Sequence, residues 1–238
     1  MIRSAILASS RGLGHAHSTR EDGAVGPLRL DGATAARAAL VRAAGGDPES
    51  LVVPEQVHGA RVARAERGGV VHPATDALVT PAAGLPLFVQ GADCPLVAFV
   101  DADARVAAVA HSGWRGTVQR IVAATVASMT QLGASPGRID AAVFPGIGAC
   151  CFEVGDDVVR RFDAAFGAES RSWFAPGAAE DKRLLDLDAA IVATLVESGV
   201  RRDRVDVIPG CTMCGGAYFS HRASRGGPER HGLCVVLR

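Results

Sequence analysis

Three short stretches of the chain carry side chains that ligate metals: "EQVHGARV" around His58, "GADCPLV" around Cys94 and "AVAHSGWRGT" around His111. Each ligand candidate sits where a β-like run meets a turn residue: Gly59 after His58, Pro95 after Cys94 and Gly113 shortly after His111. A strand end fixes the backbone while its side chain reaches into a cleft, which is what a ligand requires. Two imidazoles and one thiolate form a borderline-soft set suited to zinc. Three protein ligands leave the fourth tetrahedral position for water or substrate, the arrangement of a catalytic site. The intervals of 36 and 17 residues match no short zinc-finger pattern. On spacing alone, Cys94 also reads as a small core residue and the histidines as core or surface groups.

The neighbours supply further chemistry. Asp93 is placed to accept the second N–H of a ligand imidazole or to cap a turn, and is the nearest candidate carboxylate for proton transfer. Arg115 offers a planar fork for phosphate or carboxylate, or is a solvated turn arginine. Trp114 offers a face for a planar ring, or belongs to the core. In "YFSHRASRGGPERHG", Arg222 and Arg230 could clamp phosphate, with a solvated loop as the alternative. Cys150 and Cys151 in "GIGACCFEVG" follow a glycine-rich turn whose amides could hold an anion at a helix start, while the thiols themselves read as packing. Cys211 and Cys214 in "CTMC" have redox or zinc-knuckle spacing, but there is no second CxxC, and the vicinal pair is not expected to substitute for one. His15, His17 and His72 lie in Gly/Pro-rich stretches and are expected at the surface.

Several chemistries lack their motifs. No histidine has glutamate two positions later as in the zinc base-deaminases, and neither G-x-S-x-G nor H-E-x-x-H occurs. Neither G-x-G-x-x-G nor G-x-x-x-x-G-K-[ST] is present, so the standard nucleotide cradles are missing.

The elements that must position these residues are read from periodicity. Helices are expected over 33–44, 117–132, 154–166 and 183–198, the second carrying a clear stripe from Val118 to Met129. Strands are expected at 51–53, 61–65, 76–80, 85–90, 96–100, 105–111, 139–144, 204–209 and 232–237. Several are apolar throughout, as in strands covered on both faces. Strands outnumber helices without strict alternation, which predicts an α/β (α+β) fold with a mixed sheet and helices outside. "FAPGAAEDK" (174–182) reads as a surface loop.

Over 238 residues, 48% are hydrophobic and 21% charged, with 25 basic and 25 acidic residues cancelling. This length suits one large domain or two small ones with an ample core; with no internal repeat or low-complexity linker, a single domain over residues 1–238 is expected. A zero balance gives no electrostatic reason to expect a nucleic-acid or membrane partner. The opening "MIRSAILASSRGLGHAH" has too short an apolar run for a signal peptide, so a cytoplasmic location is expected, with the six cysteines kept as thiols.

In this order, "QVHG", "ADC", "AHSGWRG" and "P-x-I-G-x-C-C-F-E-V-G" resemble the YfiH/YlmD family, labelled polyphenol oxidase or laccase domain and now regarded as purine nucleoside phosphorylases with additional adenosine deaminase activity. The match is strong over roughly residues 51 to 160 and looser over "FSHR…ER". It implies zinc held by His58, Cys94 and His111, with copper as an adventitious substitute. It also implies a compact α/β/β/α fold similar to the cytotoxic necrotising factor catalytic domain. The implied reactions are phosphorolysis of adenosine, inosine, guanosine and methylthioadenosine, and hydrolytic deamination of adenosine. Small purine nucleosides and phosphate would be the partners of a monomer or weak homodimer. The sequence departs from the family pattern at Pro95, which follows Cys94 directly, at Phe152 in place of tyrosine, and at His221 in "FSHR". Other readings are a metal-free Cys–His hydrolase or deamidase with Cys94 as nucleophile and His111 as base, a non-catalytic metal-stabilised binding module, and a copper polyphenol oxidase.

Overall fold

The structure, a computed structural model, describes residues 1–26 and 35–238. In chain order the strands are β1 Leu13–His17, β2 Val53–Pro54, β3 Val62–Arg64, β4 Val71–His72, β5 Ala77–Thr80, β6 Pro86–Gly91 and β7 Leu96–Asp101. They continue as β8 Val106–His111, β9 Asp140–Phe144, β10 Glu153–Gly155, β11 Phe174–Pro176, β12 Lys182–Leu185, β13 Val205–Val207 and β14 His231–Leu237. The α-helices are α1 Ala5–Ser9, α2 Ala35–Ala44, α3 Trp114–Val118, α4 Ile121–Gln131, α5 Asp156–Phe166 and α6 Leu187–Glu197. Residues 33 and 34 of the first expected helix lie outside the described residues.

The layers follow from strands that are apolar on both faces. Six strands form the central mixed sheet in the order β13-β9-β7-β8-β5-β3. On one face Val97, Phe99, Ala108 and Ala110 pack against Ile121, Val126 and Met129 of α4 and Ile191 of α6. The alternate residues Leu96, Ala98, Val100 and Val109 point the other way. They meet Leu87 and Val89 of β6 and Leu233 and Val235 of β14, strands of a second sheet ordered β1-β14-β6. The far face of that sheet, with Ala16, Phe88 and Val236, is covered by Leu40 and Val41 of α2. Period-two alternation thus decides the stacking, and the result is the expected α/β/β/α arrangement.

Three local expectations need correction. The helix expected over 117–132 is two helices, because Arg120 adopts a left-handed backbone with φ 65°. Its guanidinium stacks 4.1 Å from the Phe166 ring, bonds the Ala165 carbonyl and pairs with Glu197, so tertiary contacts hold the break. The helix expected over 183–198 begins only at Leu187, where the Asp186 carboxylate caps it by accepting from Ala189 N at 2.9 Å. The preceding Lys182–Leu185 is the middle strand of the sheet β10-β12-β11, so "FAPGAAEDK" is the bend of a hairpin that begins in β11.

The third correction concerns His15 and His17, which are buried rather than exposed; His72 is half-buried. Leu13–His17 is a strand paired with β14, and its alternate side chains face the inter-sheet core. His17 stacks on Phe144 at 5.0 Å and contacts His231 at the same separation. Among the described residues neither ring has a hydrogen-bond partner. Burial drives the pKa of His15 and His231 down to about 4 and that of His17 well below its ordinary value.

In the unfolded chain these rings titrate near 6.5. Between about pH 6.5 and 4 the unfolded state therefore holds up to three more protons, and stability is complete above that window and falls as pH drops through it. Asp188, pushed up to about 7 chiefly by burial, works in the opposite direction and offsets one proton. Urea midpoints measured between pH 4 and 6.5 should show a net uptake of protons on unfolding, to which His72, also lowered chiefly by burial, adds. The same series on His17→Leu should show one fewer, and an unchanged slope in the variant would contradict the assignment.

Candidate metal centre

Four neighbouring strands of the central sheet bring the ligand candidates to one edge. β7 and β5 both run antiparallel to β8, while β3 runs parallel to β5. Consequently the end of β8, which is His111, lies beside the segments entering β7, β5 and β3. Those segments carry Cys94, Asp76 and His58 respectively. Each of His58, Cys94 and His111 offers a ligand atom within 4.8 Å of the other two. The rings of His58 and His111 stand edge to face at 4.9 Å. The three sequence-selected residues are thus brought together, His111 buried and His58 exposed at the rim.

The residue that organises them was not selected from the sequence. Asp76, wholly buried at the entry to β5, accepts hydrogen bonds from the backbone N–H groups of Val57, His58 and Gly59 at 3.2, 3.0 and 2.7 Å. The same carboxylate lies 2.9 Å from His111 Nδ1. It therefore shapes the turn that presents His58 and leaves Nε2 of His111 facing the other ligands. The expectation that Asp93 orients an imidazole is corrected. Its two oxygens accept from Thr212 Oγ1 at 2.6 Å and Arg222 N at 2.7 Å, because a left-handed backbone with φ 86° turns Asp93 towards that loop. A possible sequence signal for Asp76 was a lone acid opening the apolar run "DALVT".

Electrostatics favour ligation. Burial alone would push the Cys94 thiol up, but His111 and His58 outweigh it and bring the pKa well below the ordinary value. Burial likewise opposes charge on His111, yet the Cys94 thiolate and the Asp76 hydrogen bond raise its pKa. Asp76 itself remains ionised, its burial outweighed by His111 and the turn amides. A site so poised is a thiolate whose compensating proton a cation can replace. Space is reserved as well: a Cβ on Gly113 would fall 2.6 Å from Cys94 Sγ and 3.3 Å from His58 Cδ2. Donor chemistry, convergence and this glycine all fit a metal ion.

The ligands open onto a cleft of about 380 Å³, within the range of small-molecule sites. Asp93, Trp114, Arg115, Arg222 and Arg230 all contribute to its lining. The Arg115 guanidinium lies 4.4 Å from the Trp114 ring and makes no hydrogen bond among the described residues. Arg222 donates to the Glu153 carbonyl and Arg230 to the carbonyls of Gly227 and Glu229, so each is anchored at the rim. Gln56 and Gln90 are also in the lining and were not anticipated: the Gln56 side-chain amide donates to the Gln90 carbonyl at 2.8 Å and accepts from Gln90 N at 2.9 Å, which ties the His58 loop to β6. A larger depression of about 810 Å³ between α5 and the β11–β12 hairpin contains no such ligand set among the described residues.

The profile of the family described as multi-copper polyphenol oxidoreductase laccase matches residues 31–238. The chain belongs to this family. Among its relatives, adenosine deaminase RL5 from an unknown prokaryotic organism is 39% identical over 79% of this chain and 75% of its own length. A purine nucleoside phosphorylase of Deinococcus radiodurans is 39% identical over 82% and 79%. The crystal structure of the hypothetical protein YfiH from Bacillus licheniformis superimposes with a TM-score of 0.89 at 25% identity, covering 97% of this chain and 94% of the other. The laccase-like family and the YfiH fold agree with the family resemblance read from the motifs.

Asp76→Asn would retain the shape but place an amide N–H₂ against backbone donors or an imidazole N–H. Metal affinity should fall about 10–100-fold, read by competition with a chromophoric chelator; wild-type affinity would show that Asp76 orients nothing. Gly113→Ala should remove bound metal with little change in far-UV circular dichroism, because its methyl occupies space beside the sulfur.

Proposed function

We propose that the chain is a zinc-dependent purine nucleoside phosphorylase, with adenosine deamination as a second activity of the same cleft. The observation that carries this reading is the convergence of His58, Cys94 and His111 at a cleft also lined by Arg115, Arg222, Arg230 and the Trp114 ring. The names of the relatives, phosphorylase and deaminase, support a nucleoside-processing enzyme. Zinc is favoured over copper because neither reaction transfers electrons, although an imidazole–thiolate set also accepts copper. When bound, zinc supplies Lewis acidity and an open coordination position.

In phosphorolysis a phosphate oxygen forms a bond to ribose C1′ as the bond from C1′ to the purine nitrogen breaks. The bonding electrons leave with the base. Arg115, whose fork is uncommitted, would bind phosphate by charge-assisted hydrogen bonds, with Arg222 and Arg230 adding positive charge at the rim. Trp114, in the lining, would present apolar ring surface to a purine; Phe152 also borders the cleft but is buried, with the Arg222 guanidinium 5.5 Å from its ring. Asp93 would act by holding the Arg222 backbone, and as a cleft carboxylate it stays the candidate for moving the proton that the leaving base requires. Deamination would use water in place of phosphate, with C6 of adenine as the carbon attacked and ammonia as the leaving group.

The thiolate character of Cys94 favours one second reading, a metal-free Cys–His hydrolase. The two separate by whether an ion is held at His58, Cys94 and His111, read as the metal lost on Cys94→Ala, and by the activity of metal-stripped wild type. Purified protein should contain zinc, and adenosine should give free adenine only when phosphate is present, with any inosine reporting deamination. Cys94→Ala should lose this metal and at least about 10³-fold in kcat/KM for both products. Full turnover in the variant, or in metal-stripped wild type, would overturn the zinc enzyme.

A further inference from the structure

The vicinal Cys150–Cys151 pair and the Cys211–Cys214 motif, each a weak signal by itself, meet in space. Cys150, Cys151, Cys211 and Cys214 each place a sulfur within 4.8 Å of the other three, with Cys150 and Cys214 sulfurs 3.6 Å apart. This corrects the expectation that the vicinal pair could not complete the CxxC. We propose that these four cysteines form a second, tetrathiolate zinc site that fastens the wall of the cleft. The inference does not depend on the nucleoside reaction or on the first metal centre.

Four sulfurs around one zinc at about 2.3 Å from the ion stand about 3.8 Å from one another. The observed cluster has nearly those dimensions, so a mononuclear ion fits with a small contraction. The backbone is arranged for thiolates. Gly148 N–H donates to Cys211 Sγ at 3.3 Å, as one expects around a sulfur that carries negative charge. Cys211 and Cys214 flank a tight turn closed by Gly215 N to the Cys211 carbonyl at 3.0 Å. A Cβ on Gly215 would strike that carbonyl oxygen at 2.6 Å, so the turn admits only glycine. On the other arm, a turn from Gly148 brings both vicinal cysteines round, with Cys151 N and Phe152 N sharing the Gly148 carbonyl at 2.9 Å each. Zinc binding would release the thiol protons and change no oxidation state.

The position gives the ion a purpose. The loop holding Cys150 and Cys151 also supplies Ile147, whose N–H bonds the Asp93 carbonyl at 2.8 Å. The loop holding Cys211 supplies Thr212, which bonds the Asp93 carboxylate and, through its N–H, the Gly146 carbonyl at 2.9 Å. Both arms of the cysteine cluster therefore grip the residue next to Cys94. Without an ion, the arms are joined here by the Thr212–Gly146 backbone hydrogen bond and by weak sulfur contacts among the described residues. With one, the wall carrying Asp93 and Phe152 becomes cross-linked.

The test is metal stoichiometry on full-length protein purified under reducing, zinc-replete conditions. Two zinc ions per chain are expected, falling to one in Cys211→Ser/Cys214→Ser, with a lower Tm. Cys94→Ala should lose the other ion and keep this one, so failure of either site is distinguishable from failure of both. Wild-type protein loaded with cadmium-113 provides a readout that does not need the variants to fold. A resonance in the far-downfield region diagnostic of four thiolates is expected, separate from that of a mixed nitrogen–sulfur site. One ion per chain that is retained in Cys211→Ser/Cys214→Ser and lost in Cys94→Ala would overturn the proposal. So would a Cys150–Cys214 disulfide under these conditions.

Discussion

A single buried carboxylate organises the His58, Cys94 and His111 cluster. Asp76 receives three consecutive backbone amides and one imidazole nitrogen, an arrangement that no neutral side chain reproduces. The turn it stabilises forces His58 into a left-handed backbone with φ 62°, a conformation that costs about 1–3 kcal/mol and persists only when its surroundings impose it. Asp76 thus offsets that strain and fixes the orientation of a buried ligand at once. Its own place is set by the sheet: it opens β5, immediately before the residue paired with Ala110, and its carbonyl accepts from His111 N at 2.8 Å.

The remainder of the cleft is built outward from this frame. Small residues allow the helix after β8 to close on the His58 loop: a Cβ at Gly116 would lie 3.0 Å from the Gly59 carbonyl, and Gln119 bonds the His58 carbonyl. Across the cleft the wall depends on loops with little regular structure, held by Asp93 and the cysteine cluster. One side is therefore set by the sheet and the other by polar and sulfur cross-links. Arg222 and Arg230 lie on or beside these loops, where they can adjust to an anion without disturbing the ligands, whereas Arg115 stands on α3 at the sheet-set side.

The fold was legible where chemistry is local and repetitive. Strands such as Leu96–Asp101 and Val106–His111 are apolar on both faces, and their runs marked both position and double coverage. β1 was not legible, because "LGHAH" contains two histidines whose burial is imposed by β14 and Phe144 rather than by their own preference. The break at Arg120 was hidden for the same reason, its causes lying at Phe166 and Glu197. In the site, His58, Cys94 and His111 were legible because glycine or proline turns follow apolar runs there. Asp76 and the clamp of the Gln56 side chain on the Gln90 backbone were not, since their value lies in partners 17 to 35 residues away. The cysteine cluster needed the pairing of loops separated by about sixty residues.

The proposed enzyme requires a metal bound by His58, by Cys94 and by His111 through the nitrogen that Asp76 does not occupy. Anomalous diffraction at the zinc edge from crystals of the purified protein tests this most directly. A peak bonded to Cys94 Sγ, to His58 and to Nε2 of His111, with Nδ1 still on Asp76, is the predicted result. Density at full occupancy with no anomalous scatterer between these side chains, or an ion held through His111 Nδ1 with Asp76 displaced, would contradict it.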